Sequence, residues 1–339
     1  MLVVAHLDEA DDAVEELRAL GVEAELFPAI EVLPGESSPS AELTVARLGV
    51  MRRLAEGRAP AAIVAPIAAL MQAVPEPARL SALVRTIATG SRTNPTDLVA
   101  WLVEGGYTRV DAVESPGEVA VRGGIVDIAP PGGAPAVRLD FFGDEVERIF
   151  EIDLATQASD RRVESVELVA ASLDAVLGDA RTGKGAQPLA ESLPPSTVTV
   201  LAEMSEIVEQ ARAYWDRVRD GRGVYGPPAT LSLLARKSRA TLELHAFGKA
   251  GGASVALGAR VLPPFDEDAR AAAGQFAALA GLADRRSAIV CESDAERARM
   301  TELLAAHTRA DLVDRPVGHL TRGFILEWQG ASFLIAPAS

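Results

Sequence analysis

Cysteine is almost missing from this 339-residue chain: Cys291 stands alone. One thiol excludes a disulfide framework and a thiolate zinc site. Within Ser287-Ala288-Ile289-Val290-Cys291-Glu292 it reads as a small buried apolar residue rather than a nucleophile. Positive charge is also short, with 33 basic against 48 acidic side chains and a formal net charge of -15. Broad electrostatic holding of nucleic acid needs clustered Lys and Arg facing phosphates, so these residues are not expected to grip DNA. No basic leader precedes an apolar core at the N-terminus, as a signal peptide would require. The longest uncharged stretch, Ala59 to Pro75, is broken by Pro60, Pro66 and Gln72 and is too short to span a bilayer. No membrane association and a cytoplasmic location are expected.

Catalytic signatures are missing as well. His6, His245, His307 and His319 are scattered without metal-ligand spacing, and no Gly-x-Ser-x-Gly elbow or Cys-x-x-Cys pair occurs. Carboxylates are abundant but fall mostly on helix faces, so no acid/base pair stands out. Two near-motifs mislead. Asp8-Glu9-Ala10-Asp11 spells a helicase acidic box, yet no phosphate-binding loop stands on an earlier strand. Reading Asp8 as a helix N-cap requires nothing that is absent. Gly178 to Gly185 approaches a phosphate loop, but Gly185 occupies the position of the magnesium-binding hydroxyl, and Gln187-Pro188 follows where a helix should start. No catalytic, cofactor-binding or metal-ligating set is predicted, and these residues are not expected to form an enzyme.

What is present is a folded pattern. Hydrophobic residues at 48% and charged residues at 24% fit a soluble globular chain with room for two or three domains. A short apolar run at Leu2–Ala5 precedes a helix with Ala10, Ala13, Val14, Leu17 and Leu20 on one face, stopped at Gly21. A strand over Val22–Phe27 follows, then a helix over Ala41–Leu54, a buried strand at Ala61–Ala65 and a helix from Ile67 to Val74. This alternation predicts a parallel sheet in an α/β domain. Near residue 93 the rhythm changes: a short helix carries Trp101, and Tyr107 to about Leu168 is period-two β. Asp179–Ser196 reads as a linker or loop. Strand Thr197–Leu201, helix Ser205–Asp220 with Ile207, Ala211, Tyr214 and Val218 inward, and strand Leu242–Phe247 come next. Lys249 to Gly252 marks a boundary. The last part predicts helix Ala269–Gly281, strand Ser287–Cys291, helix Ala295–His307 and β structure near Phe324–Leu334.

The informative stretch is the β ribbon. Gly117 to Asp127 opens it, and Val137 to Ile149 forms a hairpin with Gly143-Asp144 as a two-residue turn. Strict alternation from that turn puts Phe142 opposite Glu145, Phe141 opposite Val146, and Asp140 opposite Glu147. Val137, Leu139, Phe141, Val146 and Phe150 then share a core face, and Arg138, Asp140 and Phe142 the other. An aromatic beside an arginine on a charged face is the composition of an interface hot spot. The alternative is that Phe142 tucks under a neighbouring element and Arg138 only offsets Asp140 and Glu147.

These residues carry a resemblance. Gly106-Tyr107-x-Arg109-Val110, Gly117-Glu118, Arg122-Gly123-Gly124-Ile125-Val126-Asp127, the run Arg138 to Glu147, and Thr156-Gln157-x-Ser159 resemble the N-terminal, UvrB-related region of bacterial transcription-repair coupling factors, the Mfd family. Phe27-Pro28, Glu31 to Pro34, Ser38-Pro39-Ser40, Arg47-Leu48, Val64-Ala65-Pro66 and Ala69-Leu70 agree upstream, as does Gly318 to Phe324 near the end. The resemblance covers almost the whole chain, in outline only over 171–290. Val119 and Ala129 stand where the family usually has aromatics, and the loop around 178–196 is shorter.

The resemblance implies a degenerate helicase-like α/β domain (1–92 and 171–250), an inserted β-rich α+β UvrA-binding domain (93–170) and a small α/β domain (251–339). It also implies a non-catalytic module that recruits UvrA to stalled RNA polymerase, with Arg122, Arg138 and Phe142 as the UvrA contacts. RNA polymerase and DNA would be engaged through domains beyond Ser339, and the family's opening segment would lie before Met1. Two other readings are a UvrB-like ATP-dependent DNA repair subunit, and a stand-alone scaffold that has lost repair function.

Overall fold

The alternation of strand and helix appears as a mixed α/β architecture in the structure, a computed structural model. It describes residues 1–30, 40–170, 185–218, 223–246, 258–262, 269–281, 286–307, 313–320, 322–328 and 331–338, with Ser172, Val176, Gly221, Val255 and Phe265. The residues group into two units: Met1–Leu7 with Glu25–Leu244, and Asp8–Ala24 with His245–Ser339.

The chain opens with β1 (Leu2–Val4), α1 (Leu7–Ala19), β2 (Ala24–Leu26), α2 (Ala41–Ala55), β3 (Ala62–Pro66), α3 (Ile67–Leu70), β4 (Val74–Pro75), α4 (Pro77–Ala82), β5 (Val84–Ala88) and α5 (Pro95–Glu104). Six ribbon strands follow: β6 (Thr108–Val110), β7 (Glu118–Arg122), β8 (Ile125–Ala129), β9 (Ala136–Phe142), β10 (Glu145–Ile152) and β11 (Ser159–Val163). Then come β12 (Ser165–Val169), β13 (Ala186–Gln187), β14 (Val198–Ala202), α6 (Met204–Arg217), α7 (Pro227–Lys237) and β15 (Ala240–Leu244).

The first sheet has strand order β15-β14-β1-β3-β2. β1 runs parallel to β3 and β14, and β14 parallel to β15, so the parallel sheet predicted from the alternation is present. Segments on both sides of the ribbon in sequence build this one sheet. The strands leading into and out of the ribbon also pair: β5 and β12 form an antiparallel stem, Ser165 opposite Ala88 through Val169 opposite Val84. An ion pair from Arg52 on α2 to Glu167 ties the stem to the first sheet's helices.

Arg47 organises this region. It is only 3% exposed, and among the described residues no carboxylate pairs with it. Its guanidinium donates to the carbonyls of Pro28 (2.8 Å), Ala69 (3.2 Å), Gln72 (3.3 Å) and Ala73 (3.3 Å) and lies 4.1 Å from the Phe27 ring centroid. Burial pulls its pKa down to about 9, which still leaves the cation charged at neutral pH. Phe27-Pro28, Arg47 and Ala69, quoted apart in the sequence, thus meet at one buried charge. Gln72 adds to the knot, accepting from Ile30 N–H (2.8 Å) and donating to Ile30 C=O (2.7 Å) and the Tyr214 hydroxyl (2.8 Å).

Several expected boundaries shift. The helix from Ile67 ends at Leu70 rather than Val74, because Ala73 N–H bonds to Gly223 C=O and Tyr225 N–H to Met71 C=O, pairing this segment with another. The predicted Asp179–Ser196 loop is ordered in its described part. Leu189–Ser192 is a 3-10 turn, and Leu189, Ala190 and Leu193 enter the first core. Sequence reading also passed over α4, β5 and α7, whose buried positions are few. Residues 31–39, 178–184 and 249–252, which hold part of the upstream motif, most of the near-loop and the expected boundary, lie outside the described residues.

In the second unit, β16 (Gly258–Val261), α8 (Ala269–Gly281), β17 (Arg286–Val290), α9 (Asp294–Leu304), β18 (Val313–Asp314), β19 (Phe324–Trp328) and β20 (Ala331–Pro337) make a mixed sheet of order β16-β19-β20-β17-β18. Cys291 is buried in its core, and burial pushes the thiol pKa up, as suits a packing residue. The α1 helix groups here. It starts at Leu7, so Asp8 lies in its first turn rather than at the N-cap, while Gly21 (φ 77°) stops it as expected. Val22 N–H to Leu17 C=O and Gly21 N–H to Arg18 C=O complete the C-terminal motif. Asp8, Glu9 and Asp11 face water while Ala10 is buried.

Replacing Arg47 removes the donor for four buried carbonyls, each costly to strand. Arg47→Ala should destabilise by about 3 kcal/mol, and Arg47→Met, which restores length but not donors, should recover little of it. Urea unfolding of the two variants against wild type checks both expectations.

Candidate partner-binding face on the ribbon

The ribbon sheet has order β11-β10-β9-β8-β7-β6, and its two faces differ sharply. One face holds Val119, Val126, Ile128, Val137, Leu139, Val146 and Ile149, packed with Leu98 and Leu102 of α5 and with Leu168 of the stem. Alternation sends the other residues of each strand to the opposite face. Asn94 fixes α5 against the hairpin. Its side-chain carbonyl accepts from Thr96 and Asp97 N–H at the helix start, and its amide donates to Asp144 of the turn at 3.2 Å. Gly143 (φ 61°) takes the first central position of that turn, as its sequence required.

The predicted register holds for two pairs only. Phe142 lies opposite Glu145 and Phe141 opposite Val146, but Asp140 lies opposite Arg148, not Glu147. A bulge at Glu147 shifts β10 by one residue, so Ile149 pairs with Leu139 on the core face and Phe150 pairs with Arg138 on the other. Phe150 therefore does not join Val137, Leu139, Phe141 and Val146 as expected. The bulge falls where the outer edge of β10 changes partner. Residues 90–93 bond to it as far as Val146, and β11 pairs from Ile149 onward.

Cross-strand pairs define the outer face. Arg122 is opposite Ile125, Ile125 opposite Asp140, and Asp140 opposite Arg148. The next row runs Ala120, Asp127, Arg138, Phe150 and Arg162. Below it Ala129, Ala136 and Ile152 form a small cluster with Val113 and Ala120, and Leu154 packs against it. Gln157 (φ 58°) closes this end by donating to Val113 C=O (2.6 Å) and Leu154 C=O (2.9 Å), while Asp153 accepts from Thr156 N–H (2.7 Å). Thr156-Gln157-x-Ser159 thus has a structural role. The lower half of the face is covered and the upper half is open.

All three predicted site residues reach that open half. Phe142 is 80% exposed, so it does not tuck under a neighbour. Arg138 forms a two-pronged pair with Asp127, Nε to Oδ1 at 2.7 Å and Nη2 to Oδ2 at 2.8 Å, with Nη1 at 3.4 Å from the Ser159 hydroxyl. Those carboxylate bonds hold the Arg138 pKa above its ordinary value. Arg122 sits two strands from β9, about 10 Å at normal strand spacing. Its Nε and Nη2 donate to Asp111 C=O at 3.1 and 2.9 Å. Gly124 permits the close strand approach here, since a Cβ on it would fall 2.9 Å from the Phe141 carbonyl oxygen.

Sequence reading missed Asp127, only 3% exposed, and Ile125, 36% exposed between Arg122 and Asp140. Aligning the Arg122–Asp127 motif against the Arg138 strand would have found both. It also missed Arg148, hidden by the bulge. Among the described residues, no group of three His, Cys, Asp or Glu could hold a metal ion, and no helix is long and apolar enough to cross a membrane.

Comparison with known proteins falls on this region. Residues 86–173 match the family model of the UvrB interaction domain, which takes in most of the stem, α5 and the whole ribbon. The chain is 33% identical over 252 residues to the transcription-repair-coupling factor of Mycobacterium bovis, covering 71% of this chain and 20% of that protein. It is 29% identical over 225 residues to that of Bacillus subtilis (66% and 19%) and 33% over 142 residues to that of Escherichia coli (42% and 12%). This chain therefore carries a UvrB interaction domain, and its matched stretch is related to the transcription-repair-coupling factors, as its motifs indicated. It spans about a fifth of the length of the first two relatives.

Removing Asp127 would leave the Arg138 guanidinium partly buried without its counter-charge. Asp127→Ala should cost about 2 kcal/mol, less than a fully buried pair because Arg138 remains partly solvated. The urea midpoint would show this. Asp127→Asn, which keeps one acceptor, should fall between it and wild type.

Proposed function

We propose that this chain is a non-catalytic recruitment module of a transcription-repair coupling factor, binding UvrA to bring nucleotide excision repair to stalled RNA polymerase. The observation that carries this reading is Phe142, 80% exposed on the same strand face as an arginine locked by a buried carboxylate, within residues that match the UvrB interaction domain. Phe142 fills an apolar pocket on UvrA, and Arg138 and Arg122 meet carboxylates around it. Because Arg138 and Arg122 are already held, little side-chain freedom is lost on docking.

On this reading the first parallel sheet is a degenerate helicase-like domain, formed by 1–92 and 171–250, that carries the UvrA-binding insertion 93–170. Residues 251–339 form a third domain. RNA polymerase and DNA are engaged through parts of the protein other than these residues, and the module works in the cytoplasm. The match of residues 86–173 to the UvrB interaction domain supports UvrA as the partner.

Calorimetric titration of UvrA with the wild-type chain and Phe142→Ala tests the proposal. Wild type should bind, and the alanine variant should lose about 2 kcal/mol or more, roughly thirtyfold in Kd. A folded wild-type chain that does not bind UvrA overturns it.

A further inference from the structure

We infer that Arg148 is a fourth contact residue of this face, supplying a mobile cation for a partner carboxylate beside the Phe142 pocket. The inference deepens the UvrA reading and rests on it. Without the bulge at Glu147, Arg148 would point into the ribbon core; with it, Arg148 lies opposite Asp140 on the face of Arg138 and Phe142. Its side chain is 48% exposed, and its recorded ion pair is a 3.3 Å contact to the adjacent Glu147, itself 54% exposed. An exposed neighbour pair of that kind is weak and easily exchanged.

The other two arginines differ. Arg138 has Nε and Nη2 committed to Asp127, and Arg122 has the same two nitrogens on Asp111 C=O. Across the strand from Arg148, Asp140 Oδ1 is shielded from water and accepts no hydrogen bond among the described residues. A guanidinium offers five N–H donors in a planar fork. When Arg148 turns from Glu147 towards Asp140 it can satisfy that oxygen and still present donors to an incoming carboxylate. Ile125, on the far side of Asp140, extends the apolar rim. The partner surface that fits is an apolar pocket with acidic side chains on its border. Arg138 and Arg122 fix the geometry, and Arg148 adapts to it.

UvrA is titrated into the full chain and into Arg148→Ala, Arg148→Glu, Glu147→Ala and Phe142→Ala at two salt concentrations. Arg148→Ala should weaken binding about tenfold and Arg148→Glu further, with a reduced salt dependence, as for removal of a contacting charge. Glu147→Ala, which removes the competing carboxylate, should bind as wild type or tighter. Circular dichroism and thermal midpoints check that the exposed substitutions leave the fold intact, and Arg148→Gln provides a second neutral variant. If Arg148→Ala and Arg148→Gln bind like wild type while Phe142→Ala does not, the Arg148 role is overturned and the adaptor reading stands. Absence of wild-type binding overturns both.

Discussion

A β-strand has a period of two, so a slip of one residue exchanges every inward side chain for an outward one. From the Gly143-Asp144 turn, strict pairing along β10 would send Arg148 into the ribbon core and Ile149 to water. Inserting Glu147 as an unpaired residue reverses this: Ile149 becomes fully buried and Arg148 half-exposed. The apolar face depends on that correction, because Ile149 packs in the cluster with Val146, Leu139 and α5. The polar face depends on it equally, since the row Arg122, Ile125, Asp140, Arg148 exists only in the shifted register. One extra residue therefore sets both what the ribbon buries and what it displays.

Two charged groups hold the scaffold behind that display. In the first sheet, the buried Arg47 cation gathers the carbonyls of Pro28, Ala69, Gln72 and Ala73, which belong to segments far apart in sequence. In the ribbon, Asp127 does the reverse, a buried carboxylate taking both prongs of a partly exposed arginine. Taking either charge out of water is costly, and only good hydrogen-bond geometry offsets that cost. Each group consequently specifies an arrangement more than it adds stability: Arg47 for the strand-to-helix turns, Asp127 for the direction in which Arg138 points. The β5–β12 stem joins the two regions.

Much of this was legible in the sequence where periodicity and turn chemistry agree. The parallel sheet followed from alternating segments, α5 from Asn94-Pro95, and the first hairpin pairs from Gly143-Asp144. Arg138 and Phe142 were placed on one face by counting from that turn, and both are there. The count failed at Glu147 because a bulge depends on which edge partner the strand finds, a tertiary fact. Here residues 90–93 give way to β11 between Val146 and Ile149. The helix from Ile67 was overestimated for a related reason: its apolar run is equally compatible with the pairing to Gly223 and Tyr225 that ends it. Asp127 is less legible, since its pairing with Arg138 depends on the register between β8 and β9, which no two-residue turn sets.

The charge balance bears on how such a face could recognise a partner. With a formal net charge of -15, the chain as a whole repels an acidic partner rather than steering it in. At physiological ionic strength charges are screened beyond about 8 Å, so long-range repulsion fades and the local pattern dominates at contact. Locally the pattern is richer in arginine than the average. Arg122, Arg138, Arg148 and Arg162 project on one face by register together with Asp127, Asp140 and Glu145, and Asp127 is already neutralised by Arg138. On the proposed reading, association is slow to begin and selective once made. A partner gains only by seating Phe142 and aligning carboxylates within hydrogen-bond reach of the arginines, which a generally acidic surface without the pocket does not provide.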